Sequence, residues 1–404
     1  MLFLVTTANY LDYFIVAVLL EPIKREFQVS DTLLGLLSGF CFAFIYALAA
    51  LPIARWADRG NRRTVITAAL GVWSAMTVVC GFTQSFWQLA AARFGVGLAE
   101  PGAMPAAQSL VADYFPPERR ATATTALAGG ASAVGWLVGI GAGGYVAATH
   151  GWRAAFLMAG VPGLVLSVVA RMVLAEPRST SKAFRLQQPA ESFGNSLSRL
   201  LRKRSFLLLL AGLSTYTTFS YGVTVFAPSF MIRSLHTTLE QVSMPWGIAI
   251  CVSNILGALI GGRLADRLSV RDVRWNAWLP ALACLLALPL YALALSTHQV
   301  WTFIAIEFAA ELILSVGIPV TFAAVLPICG EHRRSTANAI LYCAMVLIGA
   351  TLGPFLSGAL SDVFTATKAG DSLRYSLLLM CGFLVPAAIL YGLCAPALPN
   401  DVEN

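Results

Sequence analysis

Apolar runs of about 20 residues, the length an α-helix needs to cross the hydrocarbon of a bilayer, recur along the whole chain. They lie at 1–23, 32–56, 64–84, 87–115, 121–148, 153–175, 205–232, 240–267, 275–296, 299–329, 334–363 and 373–396. Each is too long for a buried strand, so the pattern predicts twelve membrane-spanning helices. The polar separators are short, except for the segment 176–204, which holds RSTSKAFRLQQPAESFGNSLSRLLRKR. That segment divides six helices from six. The expected organisation is an N-terminal bundle (1–175), a cytoplasmic linker (176–204) and a C-terminal bundle (205–404). Within the linker, 192–204 suits an amphipathic helix on the membrane surface.

Composition agrees with the pattern. The 404 residues are 58% hydrophobic and 12% charged, about half the charge of a soluble domain, and the mean hydropathy is +0.74. A net charge of +7 could suggest nucleic acid, but the basic residues sit in short loops between apolar runs, and no nucleic-acid partner is expected. The loops after spans 2, 4, 6, 8 and 10 hold 20 of the 27 lysines and arginines, the opposite side holds six, and Arg93 is left over. This bias puts both termini and the linker in the cytoplasm, and a bacterial inner membrane is the expected location. The eight cysteines lie mostly within apolar runs, with no CxxC pair and no metal spacing. They read as packing residues.

The two halves repeat. WADRGNRR (56–63) after span 2 recurs as LADRLSVR (264–271) after span 8, and ERRATAT (118–124) after span 4 recurs as HRRSTAN (332–338) after span 10. The second pair is offset by 214, which also carries Pro105 onto Pro319. Two such matches in equivalent slots indicate parallel six-helix repeats, a transporter architecture.

These residues carry a family resemblance over essentially the whole chain. Asp-Arg followed by basic residues after spans 2 and 8 resembles the signature loop of the major facilitator superfamily. ADRGNRR, NYLD (9–12) and RFGVGLAEPG (93–102) look most like its spinster-type branch. The chain departs at Ala54, where the family usually has glycine, and at Tyr13, where it often has arginine. The resemblance implies an all-α membrane protein with the major facilitator fold, twelve transmembrane helices in two pseudo-symmetric bundles. It also implies proton-linked export of lysophospholipids or sphingoid phosphates, with coupling at Asp12, Arg93 and Glu100.

The residues themselves support a similar chemistry. Five charged residues fall well inside spans: Asp12, Arg93, Glu100, Glu307 and Glu311. An intramembrane charge costs about 2.5–3.5 kcal/mol on insertion scales, and those that persist usually face a cavity and have partners. Arg93 and Glu100 are two helical turns apart on one face, about 10 Å along the axis. Arg93 can pair with Asp12 or with Glu100. Either choice leaves one carboxylate over, and that surplus group can take up a proton on one side of the membrane and release it on the other. A static buried ion pair that only fixes packing is the competing account. Arg93 can also bind an anionic headgroup directly.

In the second half, Glu307 is the repeat counterpart of Arg93. With Glu311 it offers acids to an amine-bearing headgroup, the alternative being a protonated glutamate that only packs. Tyr216, Phe219 and Tyr221 on span 7 suit the wall of an amphipathic cavity, or plain packing. Asp58, Arg59, Arg62 and Arg63 with Asp113, and in the second half Asp266 and Arg267 with Asp362, are expected to latch the cytoplasmic helix ends in one state and release them in the other. No nucleophile–base set and no GxxxxGK[ST] loop is present, so neither an enzyme nor an ATP-driven pump is expected. No cofactor or metal is implied. The expected partners are protons, an amphipathic lipid-like substrate and the bilayer, with the chain acting as a monomer. The alternative function is proton-coupled transport of small organic anions or drugs.

Overall fold

A computed structural model describes residues 1–404 except 117–118, 120–122, 124–125, 178–192, 331–332, 369–370 and 403–404. The central part of the 176–204 linker therefore lies outside the described residues, as do the side chains of Asp58 and Arg59.

The described chain is nearly all helical. We number the spanning helices α1 (Leu2–Phe27), α2 (31–59), α3 (Arg62–Cys80), α4 (86–114), α5 (126–150), α6 (Trp152–Val173), α7 (Arg204–Ser234), α8 (Leu239–Ser269), α9 (Trp275–Ser296), α10 (300–328), α11 (334–368) and α12 (372–401). Eleven of them contain a stretch long and apolar enough to cross a membrane. The remaining one, α4, is broken in its middle. A short helix, Phe193–Leu201, precedes α7, inside the segment for which a surface helix is expected.

Local signals set the helix ends. α1 stops where Gln28 turns left-handed at φ 51°, with Lys24 and Arg25 in the last turn, where cations favour the helix dipole. Side-chain caps start the next three helices: Ser30 accepts from the Leu33 amide, Asn61 from Thr64 and Ser85 from Gln88. Each satisfies a donor that the first helical turn leaves open.

The break in α4 coincides with two prolines. α4 runs as an α-helix over Phe86–Ala99, tightens to a 3₁₀ turn over Glu100–Gly102 and resumes over Met104–Tyr114. Pro101 cannot donate to the Gly97 carbonyl, nor Pro105 to that of Pro101, so the regular ladder fails at Glu100. The repeat partner α10 is also divided, into Val300–Ser315, Gly317–Ala324 and a 3₁₀ turn at Leu326–Ile328. π-helical turns interrupt α2 (Gly39–Phe44), α5 (Ala126–Gly130 and Leu137–Ala142) and α11 (Met345–Ala350). α5 and α11 are equivalent helices of the repeat.

Packing divides the chain into two compact units, 1–186 with 224–251, and 187–223 with 252–404. In the first unit, glycines let helices approach closely. A Cβ on Gly139 of α5 would lie 2.8 Å from the Leu11 carbonyl oxygen of α1, and one on Gly97 of α4 would lie 2.7 Å from the Phe42 carbonyl oxygen of α2. In the second unit Gly353 of α11 faces Gly222 of α7, and a Cβ on Gly353 would lie 2.8 Å from the Gly222 nitrogen.

The Gly97 contact is backbone on both sides and cannot yield by a side-chain rotation. Gly97→Ala should therefore force α4 from α2 and destabilise the protein by about 1–3 kcal/mol, the usual cost of overpacking. A lowered thermal unfolding midpoint in detergent checks this.

Candidate functional site

Asp12 projects from α1, Arg93 from the first segment of α4 and Glu100 from the 3₁₀ turn at its break. All three are buried, Arg93 and Glu100 to 1% exposure and Asp12 to 3%. Arg93 Nη1 donates to Asp12 Oδ2 at 2.7 Å, and the Thr77 hydroxyl of α3 donates to Asp12 Oδ1. Both Asp12 oxygens are thus taken. Glu100 does not hydrogen-bond Arg93. Its Oε1 accepts from the Asn9 side-chain amide at 2.5 Å, while Glu100 Oε2 and Arg93 Nε are buried without a hydrogen-bond partner. The π turn of α2 presents Phe42 to the guanidinium, whose carbon lies 4.7 Å from the ring centroid, a cation–π contact. Of the two partners open to Arg93 in the sequence, the structure selects Asp12.

Asn9, Thr77 and Phe42 complete this site, and none carries a role in the sequence reading. Asn9 had a signal, since it stands three residues before Asp12 and shares its helix face. Thr77 and Phe42 are ordinary residues in apolar helices, and only the fold brings them to the charges.

A second cluster lies at the end of α3. Arg62 Nη2 meets Asp113 Oδ2 at 2.6 Å and Glu176 Oε1 at 2.7 Å, while Nη1 donates to the Ser109 carbonyl and hydroxyl. The Arg62 backbone amide donates to Glu176 Oε2 at 2.7 Å. Among the three arginines that could meet Asp113, Arg62 does so. Glu176, taken from the sequence as the first residue of the linker, is buried here. The whole cluster belongs to the first unit and braces α3 against α4 and the chain leaving α6. Asp266 and Arg267, at the end of α8, are exposed and make no ion pair among the described residues, and Asp362 is half-buried.

A third cluster is absent from the sequence reading. Arg233 near the end of α7 donates through Nε to Glu21 at 2.6 Å, and through Nη1 and Nη2 to the two oxygens of Asp31 at 2.8 and 2.9 Å. Lys24 adds a 2.7 Å bond to Asp31, and Arg25 reaches Glu21 at 3.1 Å. Asp31 is completely buried. In the sequence these cations served only to count topology, and the partners of Arg233 lie some 200 positions away.

In the second unit, Glu307 and Glu311 are buried one turn apart on α10. Glu311 accepts from Tyr291 at 2.5 Å and from Asn254 at 3.2 Å. Phe219 stacks edge-on against Tyr291 at 4.9 Å. Tyr216 and Phe219 are buried on α7 and Tyr221 is half-buried. The fold thus joins Glu311 to Phe219 through Tyr291, which sequence reasoning missed, as it missed Asn254.

Comparison with known proteins bears on this arrangement. The profile of the Major Facilitator Superfamily matches residues 2–297 and 255–403. An "MFS-type efflux pump" of Mycolicibacterium smegmatis is 35% identical over 411 residues, covering 99% of this chain and 92% of that protein. "Protein spinster homolog 1" of Xenopus tropicalis is 28% identical over 408 residues, covering 95% and 77%. A crystal structure of a bacterial homolog to the human lysosomal transporter spinster, inward-facing and unoccupied, superimposes with a TM-score of 0.90 at 26% identity, covering all of this chain and 97% of that one. With its repeated helices, its spinster-like relatives and its matching fold, the chain belongs to the major facilitator superfamily of integral, multi-pass membrane transporters.

Proposed function

We propose that the protein is a proton-coupled secondary transporter that works by alternating access and carries a lysolipid, sphingolipid-like or other amphipathic anionic or zwitterionic substrate. One observation supports this above the others. Two carboxyl groups and one guanidinium are buried together inside the first unit, with Arg93 Nε and Glu100 Oε2 left without partners. A purely structural pair would not need the second carboxyl. With it, the cluster holds one acid more than it holds bases, so it can gain and lose a proton without disturbing the Arg93–Asp12 pair. A change of charge there alters how α1 and α4 attract each other, and so biases one conformation over the other. The free Nε of Arg93 is a donor suited to a phosphate or carboxylate headgroup. On the second unit, Glu307 and Glu311 serve an amine on the substrate, and Tyr216, Phe219 and Tyr221 its apolar part.

The Arg233 cluster fits the role of an outer gate. Its fork to Asp31 and its bond to Glu21 tie the end of α7 to α1 and α2, and alternating access requires that tie to break. At the cytoplasmic side, the Asp58 and Arg59 loop, with Asp266, Arg267 and Asp362, serves the opposite gate. We place both termini in the cytoplasm, the chain in a bacterial inner membrane, and the working unit as a monomer.

A second reading is transport of small organic anions or drugs, favoured by the 35% identity to a relative named as an efflux pump. A proteoliposome panel of lysolipids, sphingoid phosphates, small organic anions and drugs, with and without a pH gradient, separates the two. Uptake of lipids driven by the gradient supports the first reading. Uptake of soluble anions or drugs alone supports the second, and transport indifferent to the gradient removes proton coupling.

Three outcomes are expected. Glu100→Gln should leave the protein folded but abolish the pH dependence of its conformational switching, read as spin-label distances across each gate between about pH 4 and 8. Arg93→Lys keeps the charge but loses the planar fork, and should lower substrate affinity about tenfold or more in a binding titration. Arg233→Gln removes one partner of a largely buried network, and should shift the label distances at the outer ends of α1 and α7 toward the longer population.

A further inference from the structure

The coupling proposal leaves open which of the two buried carboxyl groups takes the proton. We infer that Asn9 is the positioning residue that settles this, by holding Glu100 through one oxygen and leaving the other free to be protonated. The inference rests on the proton-coupled reading and adds to it a residue with no charge of its own.

Each of the four carboxyl oxygens can be accounted for. Asp12 Oδ2 receives Arg93 Nη1 and Asp12 Oδ1 receives the Thr77 hydroxyl. Glu100 Oε1 receives the Asn9 amide, and Glu100 Oε2 receives nothing. A guanidinium has donors and no acceptor. A proton on Asp12 Oδ2 would therefore face another donor and break the pair, and one on Oδ1 would force Thr77 to turn from donor to acceptor. A proton on Glu100 Oε2 breaks nothing. Oε1 goes on accepting from Asn9 as a carbonyl oxygen, and Oε2 becomes the hydroxyl.

Among the described residues, no cation other than Arg93 acts on Glu100. The groups that act electrostatically on Glu100 are Asp12 and Arg93, with Tyr10 of α1 also in range. The side chains of α2 and α3 nearest the 100–102 turn at Gly102 are Ile53, Val65 and Ala69, all apolar. Asn9 is then the neutral donor that holds Glu100 in place and favours its ionised form. It also stands on the same helix as Asp12, one turn away. α1 therefore holds α4 at two points, Arg93 in its first segment through Asp12 and Glu100 in its 3₁₀ turn through Asn9, and protonation weakens only the second hold.

The test uses the full chain in proteoliposomes, with pH-titrated difference infrared spectra that follow the carbonyl stretch of a buried protonated carboxyl. In the wild type one such band should titrate. It should vanish in Glu100→Gln and persist in Asp12→Asn. Asn9→Leu should move its midpoint upward by about one to two pH units, the size of one hydrogen bond to a charged group, and shift the band frequency. Asn9→Gln, which keeps the amide, should fall between Asn9→Leu and the wild type. A band lost in Asp12→Asn and kept in Glu100→Gln overturns the inference while leaving proton coupling intact. So does an Asn9→Leu midpoint equal to that of the wild type. If Asn9→Leu does not fold, the comparison of Asp12→Asn with Glu100→Gln still decides which group is protonated. A wild type with no titrating band overturns the inference together with the proton-coupled reading.

Discussion

The contact between Arg93 and Asp12 is the constraint on which the first unit turns. A guanidinium in hydrocarbon cannot shed its charge, so it must be given a counter-ion and kept from lipid. Removing one partner of such a buried pair typically costs about 3–5 kcal/mol. The protein meets that demand by bringing three helices to one point. α1 supplies Asp12, α3 supplies Thr77 and α2 supplies the ring of Phe42. For the ring to reach the guanidinium, α2 carries a π turn at Gly39–Phe44 and α4 offers Gly97 where the two backbones nearly touch. Irregular backbone and missing side chains, which would look like defects in a soluble helix, are here the means of seating one cation.

The break in α4 follows the same logic. An unbroken helix would hold Arg93 and Glu100 rigidly on one face, two turns apart. With Pro101 and Pro105 stopping the ladder, Glu100 occupies the first position of a 3₁₀ turn, and its carboxyl meets Asn9 and not Arg93. The acid and the base of one helix are thereby given separate partners on another. α10, the equivalent helix of the second half, is broken too, and its two glutamates are buried, with Glu311 held by Tyr291 and Asn254. The repeat preserves the backbone device while the chemistry at it differs.

What could be read in advance follows from how far each feature reaches along the chain. Spans, the repeat, and the charges at 12, 93, 100, 307 and 311 are local, since hydrophobic length and the cost of a buried charge act residue by residue. The 3₁₀ turn at Glu100 has a local cause in Pro101, yet Pro162, Pro228 and Pro354 stand inside continuous helices, so a proline alone does not foretell a break. Partners were legible only as alternatives, as with Arg93, for which Asp12 and Glu100 were both open until the fold selected Asp12. Arg233 with Glu21 and Asp31, or Glu311 with Tyr291 and Asn254, depend on which helices the fold sets side by side, and no spacing encodes that. Glu176 follows the last turn of α6 and borders the polar linker, and nothing in its spacing points to Arg62. Only the folded chain turns it back under Arg62.

Three arginine clusters of the first unit, at Arg62, Arg93 and Arg233, differ in the completeness of their bonding. Arg62 uses its backbone amide, Nε, Nη1 and Nη2, and a group so fully engaged has nothing left to offer a ligand. Arg233 engages Nε and both terminal nitrogens, with partners some 200 positions away in sequence. Arg93 is as deeply buried as Arg62 but hydrogen-bonds through Nη1 alone, beside a carboxyl with one bare oxygen. Folding gains nothing from leaving buried polar atoms unpaired, since each costs about 1–3 kcal/mol. Arg93 Nε and Glu100 Oε2 remain unpaired within one cluster, and it is this that supports the proposed exchange of proton and substrate there.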